Sequence, residues 1–268
     1  MLIKRMLTLL VVFVFLINTI PSFAQSISVS PPRTYFNLNA GEADQKKILI
    51  MNPSKTETLE LSISFNDWKY DEFGANIILE PNSLPNSCAE WIKVLPSTVL
   101  TLKPGEEKEI DIQINVPENV NQEDVHSVMM YVTQTNSVER NGQGGELVII
   151  SLQTGVKIYR RPNVGRNLDI EFIDYQYSKA NNQLILKLEN TGNIWAEGII
   201  KNELINQENG KQIELDELVF YSLPKDKRTI IIKLPKDLPK GEYLVTSTFD
   251  LGEKDLLKVA ELVFNHEK

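Results

Sequence analysis

Cysteine is almost missing from this chain: Cys88 stands alone among 268 residues. An internal disulfide is therefore excluded, and one thiol cannot build a zinc site, so the fold must be held by its core. Cys88 lies in Asn86-Ser87-Cys88-Ala89-Glu90-Trp91 and reads either as an inert, partly buried thiol or as one that pairs with another chain. Histidine is nearly as scarce, with only His126 and His266. No pair exists at metal-ligand spacing, and His126 has no serine or cysteine partner in a nucleophile motif. His266, third from the end, reads as a frayed terminal residue. Basic charge is also short. The formal charge is −8 with a pI near 5.0, which argues against nucleic acid, since phosphate binding needs a basic surface. Gly142-Gln143-Gly144-Gly145 lacks the Lys-Ser/Thr of a phosphate loop and precedes no helix. Most of the abundant carboxylates read as solvated surface charge. No catalytic residue, metal or cofactor is expected, although a carboxylate pair could hide among the acids.

The one long apolar run is N-terminal. Lys4 and Arg5 precede an apolar stretch from Met6 to Ile20, and Pro21-Ser22-Phe23-Ala24 follows with small residues at the positions a signal peptidase reads. Residues 1–24 are expected to be a cleaved signal peptide, leaving Gln25 as the mature start and a formal charge that moves from −8 to −10. The run is short for a bilayer span, and no second long run follows, so membrane insertion after cleavage is not expected.

What remains reads as strands. Thr58 to Phe65 and Glu109 to Val116 alternate polar and apolar with period two, the second bounded by Pro104-Gly105 and Pro117. Ile48 to Met51, Val128 to Thr133 and Leu147 to Tyr159 are further β-rich runs, and Asn136 to Gly145 reads as a loop. After Arg161-Pro162-Asn163-Val164-Gly165 the pattern restarts, with strands expected near Leu168, Gln183, Trp195, Arg228, Gly241 and Leu256. Short strands at this spacing with Pro, Gly and Asn turns point to an all-β chain of two immunoglobulin-like sandwiches in tandem, residues 25–162 and 163–268. Leu102-Lys103-Pro104-Gly105 and Leu223-Pro224-Lys225 are similar corners, a hint of a repeat of fold.

Two segments carry more than fold: Ser30-Pro31-Pro32-Arg33-Thr34-Tyr35-Phe36 and Leu152-Gln153-Thr154-Gly155-Val156-Lys157-Ile158-Tyr159-Arg160-Arg161-Pro162. With Asn52-Pro53 they resemble periplasmic pilus-assembly chaperones of the PapD-like family, over residues 27–162. Residues 163–268 match only as a generic immunoglobulin-like module. Gly155 departs from the family, where a bulkier or charged residue is common. The resemblance implies a periplasmic, non-enzymatic chaperone that binds a pilus or surface-fibre subunit, with an outer-membrane usher as a further partner. It implies that Arg33 and Lys157 hold the subunit's C-terminal carboxylate between the domains, and that the last strand of the first domain lends apolar side chains by β-augmentation.

The residues can be weighed for that task directly. Two converging cations would bind a carboxylate through charge-assisted hydrogen bonds, Arg33 as a fork and Lys157 as a point charge. Val148, Ile150 and Leu152 alternate on one face and could enter another protein's core together. Leu147 to Ile150 is apolar on both faces, however, which also fits a strand buried in its own domain. Met129, Met130 and Tyr131 could line a tolerant client surface, or fill the core. The competing reading is a structural or adhesive envelope protein, secreted or at the cell surface, acting through loops such as Asn136 to Gly145.

Overall fold

The computed structural model describes residues 26–121, 123–141, 147–163, 165–252 and 257–267, and side chains at 138–141 and 147–148 fall outside that description. The expected signal peptide, residues 1–24, lies outside it too. In chain order the first sandwich carries β1 (Ser28–Ser30), β2 (Arg33–Asn37), β3 (Ala43–Met51), β4 (Leu59–Tyr70), β5 (Asn76–Leu79), β6 (Ile92–Leu95), β7 (Val99–Leu102), β8 (Glu107–Asn115), β9 (His126–Gln134), β10 (Val138–Asn141), β11 (Leu147–Ile150) and β12 (Gln153–Arg161). The second carries β13 (Ile170–Ser178), β14 (Gln183–Asn190), β15 (Ala196–Asn206), β16 (Gln212–Glu214), β17 (Leu218–Ser222), β18 (Lys227–Lys233), β19 (Gly241–Asp250) and β20 (Leu257–His266).

The first sandwich faces a sheet of order β1-β3-β8-β6 against one of order β2-β12-β9-β4-β5, with β7 also on β4. The second faces β13-β14-β18 against β16-β15-β19-β20, with β17 also on β15. Period-two alternation drives the packing: Ile110, Ile112 and Ile114 of β8 point into the first core, and Leu184, Leu186 and Leu188 of β14 into the second. Met130 belongs to the first core, whereas Met129 joins a separate cluster with Trp68, Tyr159 and Leu223.

The similar corners are built alike. In the first sandwich the buried Asn52 side-chain amide donates to the carbonyls of Glu57, Leu102 and Lys103, and its backbone exchanges bonds with Glu106 and Gly105. In the second, buried Asn190 donates to the carbonyls of Ile194 and Ser222, and its backbone exchanges bonds with Asp226 and Lys225. Gly105 and Lys225 both sit at φ +70°. One corner thus recurs, with a glycine in the left-handed position of the first copy and a lysine in the second.

Several expectations are corrected. His266 is not frayed. It is buried at the end of β20, its Nδ1 2.8 Å from the Tyr177 hydroxyl, because β20 pairs with β19 along its whole length. Asn136 to Gly145 is not wholly a loop, since β10 pairs with β11 as a hairpin. The run from Leu147 to Tyr159 is broken at Ser151 and Leu152, where the Ser151 hydroxyl donates to the Gln134 carbonyl and the Leu152 carbonyl accepts from Gln134 N–H. There the chain passes from β10 to β9 as its partner. The stretch around Cys88 forms a 3-10 turn, Ala89–Trp91, and Cys88 is buried in the first core. Burial, with Asp67 nearby, pushes its thiol pKa upward, which makes it inert. His126 packs its ring 4.4 Å from Trp91, and burial with Arg160 nearby lowers its pKa to about 4. It is a neutral packing residue.

Asn52→Ala leaves buried carbonyls without donors and should cost about 2–4 kcal/mol in urea unfolding. Lys225→Gly removes a left-handed non-glycine residue and should raise stability by about 0.5–1 kcal/mol in the same assay.

Candidate functional site

β2 runs parallel to β12, pairing Arg33 with Lys157, Tyr35 with Tyr159 and Asn37 with Arg161. The intervening Thr34, Phe36, Val156, Ile158 and Arg160 are buried toward the first sandwich. Alternation therefore sends Arg33, Tyr35, Lys157 and Tyr159 to the opposite face, which meets the second sandwich. The two cations singled out in the sequence are neighbours across one strand pair.

Tyr35 stacks on Tyr159 at 5.3 Å and on Trp195 of the second sandwich at 4.8 Å, and Tyr159 lies 5.1 Å from Trp195. The Tyr35 hydroxyl donates to Glu197 Oε2 at 3.1 Å. The Arg33 guanidinium covers the Tyr221 ring at 4.2 Å, and Arg161 covers Trp195 at 4.6 Å. Aromatic pairs of this geometry contribute about 0.5–1.5 kcal/mol each, and cation–π contacts about the same. Beside Arg33 and Tyr35, a cleft of about 650 Å³ opens between the two sandwiches, with Glu197, Ile199, Val219 and Tyr221 on its far side.

Lys157 lies deeper than Arg33. Its Nζ donates to the Tyr70 hydroxyl at 2.9 Å and to Asn76 Oδ1 at 2.8 Å, and sits 3.9 Å from the Trp68 ring centre. Two of its three donors are engaged by neutral acceptors, leaving one for an incoming group. Arg228, from the start of β18, crosses to the first sandwich, lies 5.0 Å from the Tyr70 ring and donates to the Tyr221 carbonyl. A Cβ at Gly74, in the β4–β5 turn, would come within 1.9 Å of the Arg228 guanidinium and displace it, and the φ of +93° there already favours glycine. Beside it, Thr229 N–H donates to the Glu72 carbonyl at 2.7 Å. No ion pair found among the described residues involves Arg33, Lys157 or Arg228. Burial, followed by the charges of Arg33 and Arg228, lowers the Lys157 pKa to about 8. Arg33 and Lys157 are thus half-buried cations in no described ion pair, whereas the buried Arg228 has the charges of Asp226 and Asp71 nearby.

The donor-strand residues lie elsewhere. Val148 is in β11 opposite Arg140, with its side chain outside the description. Ile150 is half-buried and the adjacent Ile149 is exposed. Leu152 packs partly against the first sandwich's own core. Downstream, β2 begins pairing only at Lys157, so no described strand pairs with the outer edge of Gln153 to Val156, although the Thr154 hydroxyl there donates to the Ile27 carbonyl at 3.3 Å. Gly155 has a packing reason: a Cβ there would meet Met129 Sδ at 2.9 Å and the Tyr131 ring at 3.2 Å. Tyr35, Tyr70, Tyr159, Trp195, Tyr221 and Arg228 were missed by sequence reasoning. Only Tyr35 and Tyr159 carried a signal, lying two residues beyond Arg33 and Lys157. Among the described residues, no cluster of His, Cys, Asp or Glu could hold a metal, and no helix is long and apolar enough to cross a membrane.

Fold and cleft together define a protein of two immunoglobulin-like sandwiches with a cleft between them that Arg33, Glu197 and Asp250 line. No family model and no curated protein matches the chain. Solved structures similar to it include the CsuC-CsuE chaperone–tip adhesion subunit pre-assembly complex from the archaic chaperone-usher Csu pili of Acinetobacter baumannii, at 15% identity and TM-score 0.49, covering 88% of this chain and 97% of that one. The class 5 fimbriae chaperone CfaA is similar at 12% identity and TM-score 0.49, covering 88% and 98%. The E. coli chaperone DraB is similar at 17% identity and TM-score 0.47, covering 89% and 98%.

An unfolded lysine keeps its proton to about pH 10.5, whereas Lys157 loses it near pH 8. Between those values the unfolded chain holds more protons, so this group adds stability as pH rises through the window. Side-chain NMR should place the Lys157 midpoint near 8, and Arg33→Gln should move it upward toward the ordinary lysine value.

Proposed function

We propose that this protein is a periplasmic chaperone, without catalysis, that holds the C-terminal carboxylate of a surface-fibre subunit between Arg33 and Lys157. The observation that carries the reading is their in-register pairing on β2 and β12, with Arg33 lining the cleft, Lys157 beside it against Trp68 and Tyr70, and neither in an ion pair among the described residues. A carboxylate there would accept from the Arg33 fork and from the remaining Lys157 donor. Its negative charge would offset the repulsion among the clustered cations. The domains proposed are residues 25–162 and 163–268, after a signal peptide of residues 1–24 that directs export.

Subunit capture would extend along the last strand of the first domain. The outer edge of Gln153 to Val156, which no described strand pairs, would offer backbone groups to an added strand once the Thr154 hydroxyl leaves the Ile27 carbonyl. The segment before it supplies Val148, Ile150 and Leu152 as donor side chains, and Leu152 would have to leave its present packing to take part. An open edge that is basic at one end and apolar at the other is a hazard for a chain with no client. The proteins named in the similar structures, chaperones of chaperone-usher pili among them, agree with this kind of client.

Lys157→Ala and Arg33→Ala should keep the circular dichroism of the parent and weaken client binding by about 2–5 kcal/mol each. The check is capture from periplasmic extract by the mature wild-type protein beside each variant, with bound proteins identified by mass spectrometry. A small β-rich subunit lost from both variants is the expected result. A partner held equally by all forms would favour the structural envelope reading. Client affinity should also fall as pH rises through about 8, because Lys157 then loses the charge that binds the carboxylate.

A further inference from the structure

We propose that the second domain reads the last side chain of the bound chain, through an apolar shelf of Val219 and Ile199 beside Arg33. The inference rests on the carboxylate reading above and adds a specificity element to it. Val219 is 66% exposed and Ile199 40%, and they face each other across the β15–β17 pairing. Both line the same cleft as Arg33 and Tyr221. Val219 stands two residues before Tyr221 on β17, hence on the same face and about 7 Å along it. The Tyr221 ring lies directly beneath the Arg33 guanidinium. A carboxylate held by Arg33 would thus place the side chain of the final residue over Val219 and Ile199, at the reach of a leucine or an aromatic.

The rest of the cleft sets the preference. Glu197 accepts from Tyr35, and Asp250, opposite Ile199, accepts from Gly252 N–H. These two carboxylates disfavour an acidic last residue, and the exposed apolar pair favours a large apolar one. The occupant is a protein C-terminus: Arg33, next to the shelf, supplies the charge complementarity for its carboxylate, and the shelf supplies the contact for its last side chain.

The test uses the mature protein and acetylated octapeptides of alternating valine and serine, ending in leucine, serine, glutamate or leucine amide. Affinities are read by isothermal titration calorimetry. The leucine acid should bind about tenfold more tightly than the serine acid, with the glutamate acid weaker still. That preference should vanish in the double variant Val219→Ser, Ile199→Ser, whose exposed substitutions should leave the circular dichroism unchanged. Equal binding of leucine and serine acids, with the amide lost, would overturn the shelf and leave the carboxylate site standing. Amide binding as tight as acid binding would overturn the carboxylate reading and the shelf with it. Self-association of the wild type that disappears in the double variant would assign the shelf to a second copy and overturn the proposal.

Discussion

The parallel register between β2 and β12 is the constraint from which the site follows. With Lys157 opposite Arg33, every second residue of both strands faces the second domain, giving Arg33, Tyr35, Lys157 and Tyr159 on one surface. A slip of β2 by one residue would send Thr34 and Phe36 out of the first sandwich and Tyr35 into it, while pairing with β9 holds Ile158 in place. Such a slip exposes core side chains that each contribute about 1.5–3 kcal/mol by burial, so the core of the first sandwich enforces the arrangement of the cations. The pairing of the two cations is thus a by-product of core packing.

The second domain completes that surface. Trp195 stacks on both tyrosines, and Tyr221 carries Arg33. Arg228 and Thr229 hold the β4–β5 turn, while Tyr70 at the base of that turn holds Lys157. The hydrogen bonds and stacking contacts to Lys157 and Tyr35 therefore depend on how the two domains sit together. Burial of Lys157 costs it part of its ordinary affinity for a proton. An anion bound beside Lys157 would restore what burial removes.

Much of this was legible in the residues. Period-two alternation gave the strands of both cores, and the Arg33 and Lys157 segments were recognisable by their neighbours. The paired corners at Asn52 and Asn190 matched the similarity of Lys103-Pro104-Gly105 and Leu223-Pro224-Lys225. What was not legible depends on long-range contact. Nothing near Arg228 in sequence marks it as a residue that crosses a domain boundary, where it meets the Tyr70 ring and the space beside Gly74. His266 looked terminal because strand pairing with β19 is invisible in a single chain. The break at Ser151 and Leu152 was hidden because an apolar run looks the same whether it pairs with one strand or two.

The central claim is that the Lys157 ammonium, beside Arg33, meets a carboxylate of the bound chain. The most direct measurement is the NMR titration of the Lys157 side chain in the mature protein, free and saturated with a peptide bearing a free C-terminus. The account predicts that the bound peptide moves the Lys157 midpoint well above its free value near 8, and that the amidated peptide does not. A midpoint unchanged by saturating carboxylate peptide would contradict it.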